Sequence, residues 1–369
     1  MNLRSMQIFR GEFFIQTLYF NMMYIRNDKK KRILLWSSSV FCNFAADIVF
    51  AKTPYFPDGE STDAIMINRA LIRLKVVQLV YAYYHNEGKA TEVALTELDY
   101  SLNKSYDLYH TLLAFLVEIQ RLARYKVDVR TRSGLRPAET DVLVAENRFL
   151  KQLAENTALM EWEKKQKFRW TNEEGFVKRF YAQWTEDEVF CDYADRSHRD
   201  YEDDRELVRK LYKKLVVNND GFAPVLEDVS LYWNDDKEII DSFVLKTIKR
   251  FDPDNGADQP LLPAYNIKED HEFARTLFVT TIEHCGEIRE MMKHSSRNWD
   301  ISRMAFMDVI IMQIAIAEII AFPSIPLNVT FSEYIDIAKV YSTPNSYKYV
   351  NGMLNSITRN LQEKGVIRK

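Results

Sequence analysis

The chain has 369 residues and a formal net charge of −3, which excludes a uniformly polycationic nucleic-acid binder but not a local basic patch. An apolar fraction of 47% is ample for packed cores, and only 10 Gly and 10 Pro predict few turns and long helices over two or three domains. The 3 cysteines, Cys42, Cys191 and Cys285, are scattered; together with the absence of CxxC and HxxxH spacing they argue against a disulfide framework and a zinc site, and fit a reducing compartment.

Residues 1–65 form an N-terminal extension. Lys29, Lys30, Lys31 and Arg32 precede an apolar stretch, which imitates a secretory leader. Asp47 interrupts that stretch, the cluster stands far from Met1, and the apolar part is too short and polar to span a bilayer. The alternative is a chain that starts at Met66, where orderly helical periodicity begins.

From Met66 the pattern is helical almost throughout. Ile67, Leu71, Leu74, Val77, Val80, Tyr81 and Tyr84 recur at three- and four-residue steps, and Gly88 supplies a stop. A second long helix is predicted over about 91–125, carried by Leu95, Leu98, Leu102, Tyr106, Tyr109, Leu113, Leu116 and Ile119. The polar stretch 127–142, with Gly134 and Pro137, reads as a linker. "DYADRSHRDYEDDRE" reads as a solvated loop leading into a helix, and "FDPDNGADQPLLPAYN" as the clearest break in the chain.

An internal repeat is visible: "DRELVRKLY" at Asp204 and "DHEFARTLF" at Asp270 lie 66 residues apart, as do Trp233 and Trp299. A weaker copy, "EGFVKRFYAQW", starts at Glu174. The pattern is a recurring helix start, with acidic residues in the first turn.

"RMAFMDVIIMQIAIAEIIAF" is a nearly all-apolar helix, but Asp308, Gln313 and Glu318 make it a buried central helix and not a membrane span. "VTFSEYIDIAKVY" is an amphipathic helix with Ser332 or Thr330 as its N-cap. "STPNS" is a turn, and "SYKYVNGMLNSI" opens the last helix. Val350, Met353, Leu354 and Ile357 keep helical spacing straight through the Asn-Gly pair, usually a turn signal.

These last stretches, "NWDISRMAFMDVIIMQIAIAEI" and "IPLNVTFSEYIDIAKVYSTPNSYKYVNGMLNSI", resemble the C-terminal hallmark of the NusB transcription antitermination family. "MINRALIRLKVVQLVYAYY" resembles that family's arginine-rich first helix, and "DHEFARTLFVTTIEHCGEIREMMKHSSRNW" its helices closing the N-terminal half. The resemblance covers about 66–125 and 268–360. It leaves 126–267 as a helical insertion between the first part of the NusB-like domain (66–125) and its C-terminal region (268–369), a long form of the family. It implies an all-α, NusB-like helical bundle with an inserted helical region.

The resemblance also implies a non-enzymatic, cytoplasmic RNA-binding protein without cofactor. Its implied partners are boxA-type single-stranded RNA, the ribosomal small-subunit protein NusE and the RNA polymerase antitermination complex; membranes are not among them, and self-association occurs in the family. Arg69, Arg73 and Lys75 fall in the phosphate-contacting segment, with Gln78 and Tyr81 one turn on. Tyr349 falls at a base-stacking position with Lys348 beside it, and His294 at an RNA-facing one. Asn345 stands where some members carry an acidic residue that weakens RNA binding.

Elementary chemistry fits these roles. Single-stranded RNA is held by cations on phosphates and by aromatic faces under splayed bases. Residues 66–89 carry four Lys/Arg against one Glu, and Arg69 and Arg73 share a helix face. Gly352 would admit close approach of another helix or of RNA. From the residues alone, Tyr81 and Tyr84 also read as core aromatics, Arg73 as a solvated helix-face charge, His294 as a surface histidine and Gly352 as a packing contact. A second class of function, a helical scaffold whose insertion binds a protein, stays open. An RNA methyltransferase, to which NusB-like domains can be fused, lacks support: the chain has no Gly-rich cofactor loop and no cysteine nucleophile motif.

Overall fold

The computed structural model describes residues 69–85, 90–217, 219–263, 269–295 and 304–368. The expectations for residues 1–65, for a start at Met66, for Gly88 and for Trp299 lie outside them. The described residues are all-α, with no strand among them.

In chain order the helices are α1 (Arg69–His85), α2 (Thr91–Arg132), α3 (Glu139–Glu146), α4 (Arg148–Ala154), α5 (Thr157–Lys165), α6 (Glu174–Glu186), α7 (Glu188–Ala194), α8 (Tyr201–Leu215), α9 (Phe222–Val229), α10 (Lys237–Arg250), α11 (Glu269–Glu283), α12 (Cys285–Ser295), α13 (Phe306–Ala321), α14 (Leu327–Tyr341) and α15 (Ser346–Glu363). No described helix is long and apolar enough to cross a membrane. Among the described residues one compact unit takes in 69–103 and 269–368, and a second takes in 104–263; the division falls inside α2.

In the first unit α13 is the central helix. It is apolar on all sides, so it must be covered on all sides, and α1, α11, α12, α14 and α15 all pack on it. Ile310, Ile311, Met312, Ile314, Ala315, Ile316 and Ala317 are fully buried. Helix α1 is also buried beyond one stripe, at Leu71, Ile72, Leu74, Val76, Val77, Leu79 and Val80. Asp308, in the first turn of α13, accepts hydrogen bonds from Ser342 Oγ and Ser346 Oγ, the latter at 2.8 Å. That carboxylate ties the end of α14 and the start of α15 to the start of the central helix.

The second unit is built around aromatic side chains. Phe115 of α2 lies 4.7 Å from Trp170, 4.8 Å from Phe180 and 5.0 Å from Phe222, measured between ring centroids. Three buried carboxylates each accept from a tyrosine of another helix: Asp141 from Tyr181 at 2.7 Å, Asp204 from Tyr193 at 2.6 Å and Asp241 from Tyr212 at 2.6 Å. Buried carboxylates need such partners, because an unpaired one carries the full desolvation penalty.

Local expectations met the structure with three differences. Helix α2 runs on to Arg132, and the break is only 133–138, with Gly134 in the left-handed region at φ 68°. Helix α14 starts at Leu327 behind Pro326, so neither Ser332 nor Thr330 is its N-cap. Thr330 instead donates its hydroxyl to Glu318 at 2.8 Å. The stretch read as a solvated loop is helical at both ends, in α7 and α8, with Tyr193 and Asp204 buried; only 195–200 lies outside helices, and a capping box between Asp200 and Asp203 opens α8. The repeated segments at Glu174, Asp204 and Asp270 do lie in the first turns of α6, α8 and α11.

Candidate nucleic-acid interface

The arginine face of α1 is divided between solvent and core. Arg69 is exposed, and its guanidinium sits 4.9 Å from the centroid of the Phe273 ring. Arg73, one turn on, is 3% exposed. It donates from Nε and Nη2 to the two carboxylate oxygens of Glu318 at 2.7 and 2.9 Å. Glu318 is fully buried and also accepts from Thr330 and from the Tyr334 hydroxyl at 3.0 Å. Burial works against the Arg73 charge, but the hydrogen bonds and charge of Glu318 outweigh it and hold its pKa above the ordinary arginine value. This arginine is therefore neither a solvated helix-face charge nor a cation offered to phosphate in this conformation. Lys75 is likewise buried, and Gln78 is half-buried.

At the other end of α1 the aromatics converge. Tyr81 is buried and stacks on His85 at 4.2 Å. Phe306, at the start of α13, lies 5.8 Å from Tyr81 and 5.2 Å from His85, and is 41% exposed. Tyr84 lies 6.3 Å from Phe306, and Gln313 donates to its hydroxyl at 2.6 Å. Tyr349 is half-buried, and its hydroxyl donates to Met304 Sδ at 3.2 Å. Burial raises the Tyr349 pKa, so it stays a neutral stacking surface.

Lys348 is exposed, at 5.8 Å from the Tyr347 ring. Gly352, one turn beyond Lys348 and Tyr349 on α15, is exposed as well. A Cβ built there would meet nothing within 4 Å. Gly352 thus serves no close helix contact among the described residues; it leaves open backbone beside a cation and an aromatic ring.

The nominated residues do not gather at one point. Arg69 and Tyr81 are twelve residues apart on α1, about 18 Å. His294 is exposed near the end of α12 and faces the far half of α15, in a groove with Glu287, Glu290, Asn360 and Lys364. Tyr349 stands about 16 Å away along that helix. Brought together are Tyr349 with Met304, and Tyr81 with His85 and Phe306. Of these, His85, Met304 and Phe306 had not been singled out from the sequence. The apolar run around Phe306 gave no local sign of which end of the helix would be uncovered. Among the described residues no group of His, Cys, Asp and Glu is placed to hold a metal ion.

The NusB family model matches residues 260–359. The transcription antitermination protein NusB of Desulforamulus reducens is 35% identical over 120 residues, which is 31% of this chain and 84% of that protein. Its namesake from Salinibacter ruber is 33% identical over 132 residues, 34% of this chain and 82% of that protein. For Geotalea daltonii the identity is 33% over 137 residues, 37% of this chain and 90% of that protein. No solved structure matches the chain significantly. With most of the length of these relatives covered, and an all-helical bundle around α13, the chain belongs to the NusB family, which is not a family of enzymes.

Proposed function

We propose that this chain is an RNA-binding transcription antitermination factor that acts in the cytoplasm. It pairs with the ribosomal small-subunit protein NusE on boxA-type single-stranded RNA and acts in the RNA polymerase antitermination complex to promote transcription of ribosomal RNA operons. The observation that carries the reading is the surface at the start of α15, where exposed Lys348, half-buried Tyr349 and open Gly352 lie side by side. Cation, ring and uncovered backbone are what a single strand needs: charge for phosphate and a flat face for a base. Arg69, exposed at the start of α1, and His294, exposed on α12 against the far half of α15, stand apart from this surface as outlying contacts. Arg73, Lys75 and Tyr81 are buried and Gln78 is half-buried, so in this reading they support the helical packing of the first unit and make no direct RNA contact.

The test is RNA binding by the chain with and without NusE from the same organism. The probe is a boxA RNA from its ribosomal leader, with a scrambled control. NusE should tighten binding to boxA over the control. Tyr349→Ala should cost about 1–3 kcal/mol, the range for a base–aromatic stack. Lys348→Ala should lower the slope of log affinity on log salt by about 0.7. Sequence-blind binding, unmoved by NusE and by both substitutions, would leave the second reading, a helical scaffold that binds protein through its inserted region. The burial of Arg73 and Lys75 favours that alternative, because it withdraws two cations from solvent.

A further inference from the structure

A long run of positive charge lies in the second unit, at the end of α2. Residues 121–136 hold six cationic residues, Arg121, Arg124, Lys126, Arg130, Arg132 and Arg136, against one acidic residue, Asp128. Successive residues turn by about 100°, so Arg121, Arg124, Tyr125, Asp128 and Arg132 fall on one face. From Arg121 to Arg132 that face runs about 16 Å. Neighbouring carboxylates restrain part of the charge. Arg121 donates to Glu163 at 3.1 and 2.8 Å, Lys126 donates to Asp141 at 3.0 Å, and Arg132 lies 2.7 Å from Asp128. Arg124 and the Arg136 side chain have no partner among the described residues, and both are exposed.

Charge at a helix end can simply answer the helix dipole, an effect confined to the last turn. It accounts for Arg130 and Arg132. It does not account for Arg124 more than a turn earlier, nor for the apolar side chains among the cations. Tyr125 is 66% exposed, Leu135 56% and Val129 42%. Tyr125 and Val129 are four residues apart and so share a helix face among the cations, and an exposed apolar patch rimmed by charge marks an interaction site. The end is also firmly built. Gly134 takes the left-handed conformation, its N–H bonds Thr131 O at 3.0 Å, and the Leu135 N–H bonds Arg130 O at 2.9 Å, a Schellman closure. Arg130 Nε donates to Arg136 O at 3.0 Å and fixes the turn that presents Arg136.

We infer that the end of α2 is a second, sequence-tolerant contact for single-stranded RNA, with Arg124 and Arg136 on phosphates and Tyr125 stacked under a base. Open cations beside an exposed ring fit a single strand; a duplex backbone would use the cations and leave the ring idle. The inference rests on the RNA-binding reading of the first unit, since it assigns the patch to flanking RNA.

The experiment uses the full chain and three labelled RNAs: a short boxA-type RNA, the same RNA extended by a uridine tract, and the tract alone. The extension should tighten binding. Arg124→Ala with Arg136→Ala should abolish that gain and lower the salt slope by about 0.7 for each cation removed, on the extended and tract RNAs only. Tyr125→Ala should weaken the same two RNAs about tenfold without changing the slope, and Tyr125→Phe should restore them. All these positions are exposed, so unchanged circular dichroism is expected for each variant. Variants that bind extended RNA and tract as the parent does would overturn the inference. So would a tract that fails to bind where labelled polyglutamate binds and loses affinity in the same variants, which would make this an acidic-protein surface. If the short RNA fails to bind while the tract still responds to the variants, the boxA reading falls and the patch stands.

Discussion

Arg73 and Glu318 form a two-toothed ion pair inside the first unit, joining α1 to the central helix α13 across 245 residues of sequence. Taking both charges out of water is expensive, and only close geometry with further hydrogen bonds from Thr330 and Tyr334 offsets it. Removing one partner strands the other. Arg73→Ala should therefore destabilise the protein by about 3–5 kcal/mol. The double replacement Arg73→Met with Glu318→Met should recover only part of that loss, because it leaves the buried Thr330 and Tyr334 hydroxyls without their acceptor. Urea unfolding checks both. The salt slope of RNA binding by folded Arg73→Ala should match the parent. A slope lower by about 0.7 would return Arg73 to the phosphate contacts.

Gly352 separates helix energetics from binding. An alanine there gains helix propensity of about 0.5–1 kcal/mol and meets no neighbour. Gly352→Ala should raise the melting temperature and lower RNA affinity, because its methyl group stands where a strand would approach the backbone. A stabilised variant with unchanged affinity would take Gly352 out of the interface.

Helices were legible where the hydrophobic period is strong, because that period is local; the cap of α14 and the helical ends of the stretches read as linker and loop were not. The all-α class, α13 as a buried helix and the start of α15 all follow from spacing. The long-range pairs were not legible. Glu318 announced itself as a carboxylate in an apolar helix, and such a residue demands a buried cation, but nothing in the sequence named Arg73 as that cation. The same demand drew Thr330 away from the capping role its position predicted. The exposed members of the expected RNA-contacting set were illegible for the same reason. Spacing shows that Arg69 and Arg73 share a face, and only packing decides that one meets water and the other meets Glu318.

Asn345 tests the charge at the start of α15. It is the one non-glycine described residue with positive φ, at 72°, and asparagine tolerates that conformation better than most residues. Asn345→Ala should cost about 1 kcal/mol, and Asn345→Gly should cost little. Asn345→Asp should keep the fold and place a negative charge one turn before Lys348, whose N–H bonds Asn345 O at 3.1 Å. RNA affinity should then fall, most at low salt. Equal affinity for Asn345→Asp and the parent at every salt concentration would exclude this corner from the RNA path.

The second unit should carry two opposed pH dependences. Burial pushes the Asp241 carboxyl up to about 6, against the pull of Lys237 and Tyr212. Its folded value lies above an unfolded value of about 3.9, so the folded state holds more proton in between. That contribution is full below about pH 3.9 and is lost as pH rises through about 6, some 3 kcal/mol in all. His110, with Nδ1 3.0 Å from the Tyr106 carbonyl and its ring stacked on Trp162 at 5.1 Å, behaves the other way. Burial lowers its pKa from 6.5 to about 4. Its contribution is full above about pH 6.5 and is lost as pH falls through about 4, again about 3 kcal/mol. Between about pH 4 and 6 the two slopes oppose each other in the parent protein. Asp241→Asn keeps an acceptor for the Tyr212 hydroxyl and should leave stability falling with acid through that range. His110→Gln keeps a donor for the Tyr106 carbonyl and should leave stability rising instead. Urea unfolding followed by tryptophan fluorescence across the range reads both, and parallel profiles for the three proteins would show that neither group titrates as its burial requires.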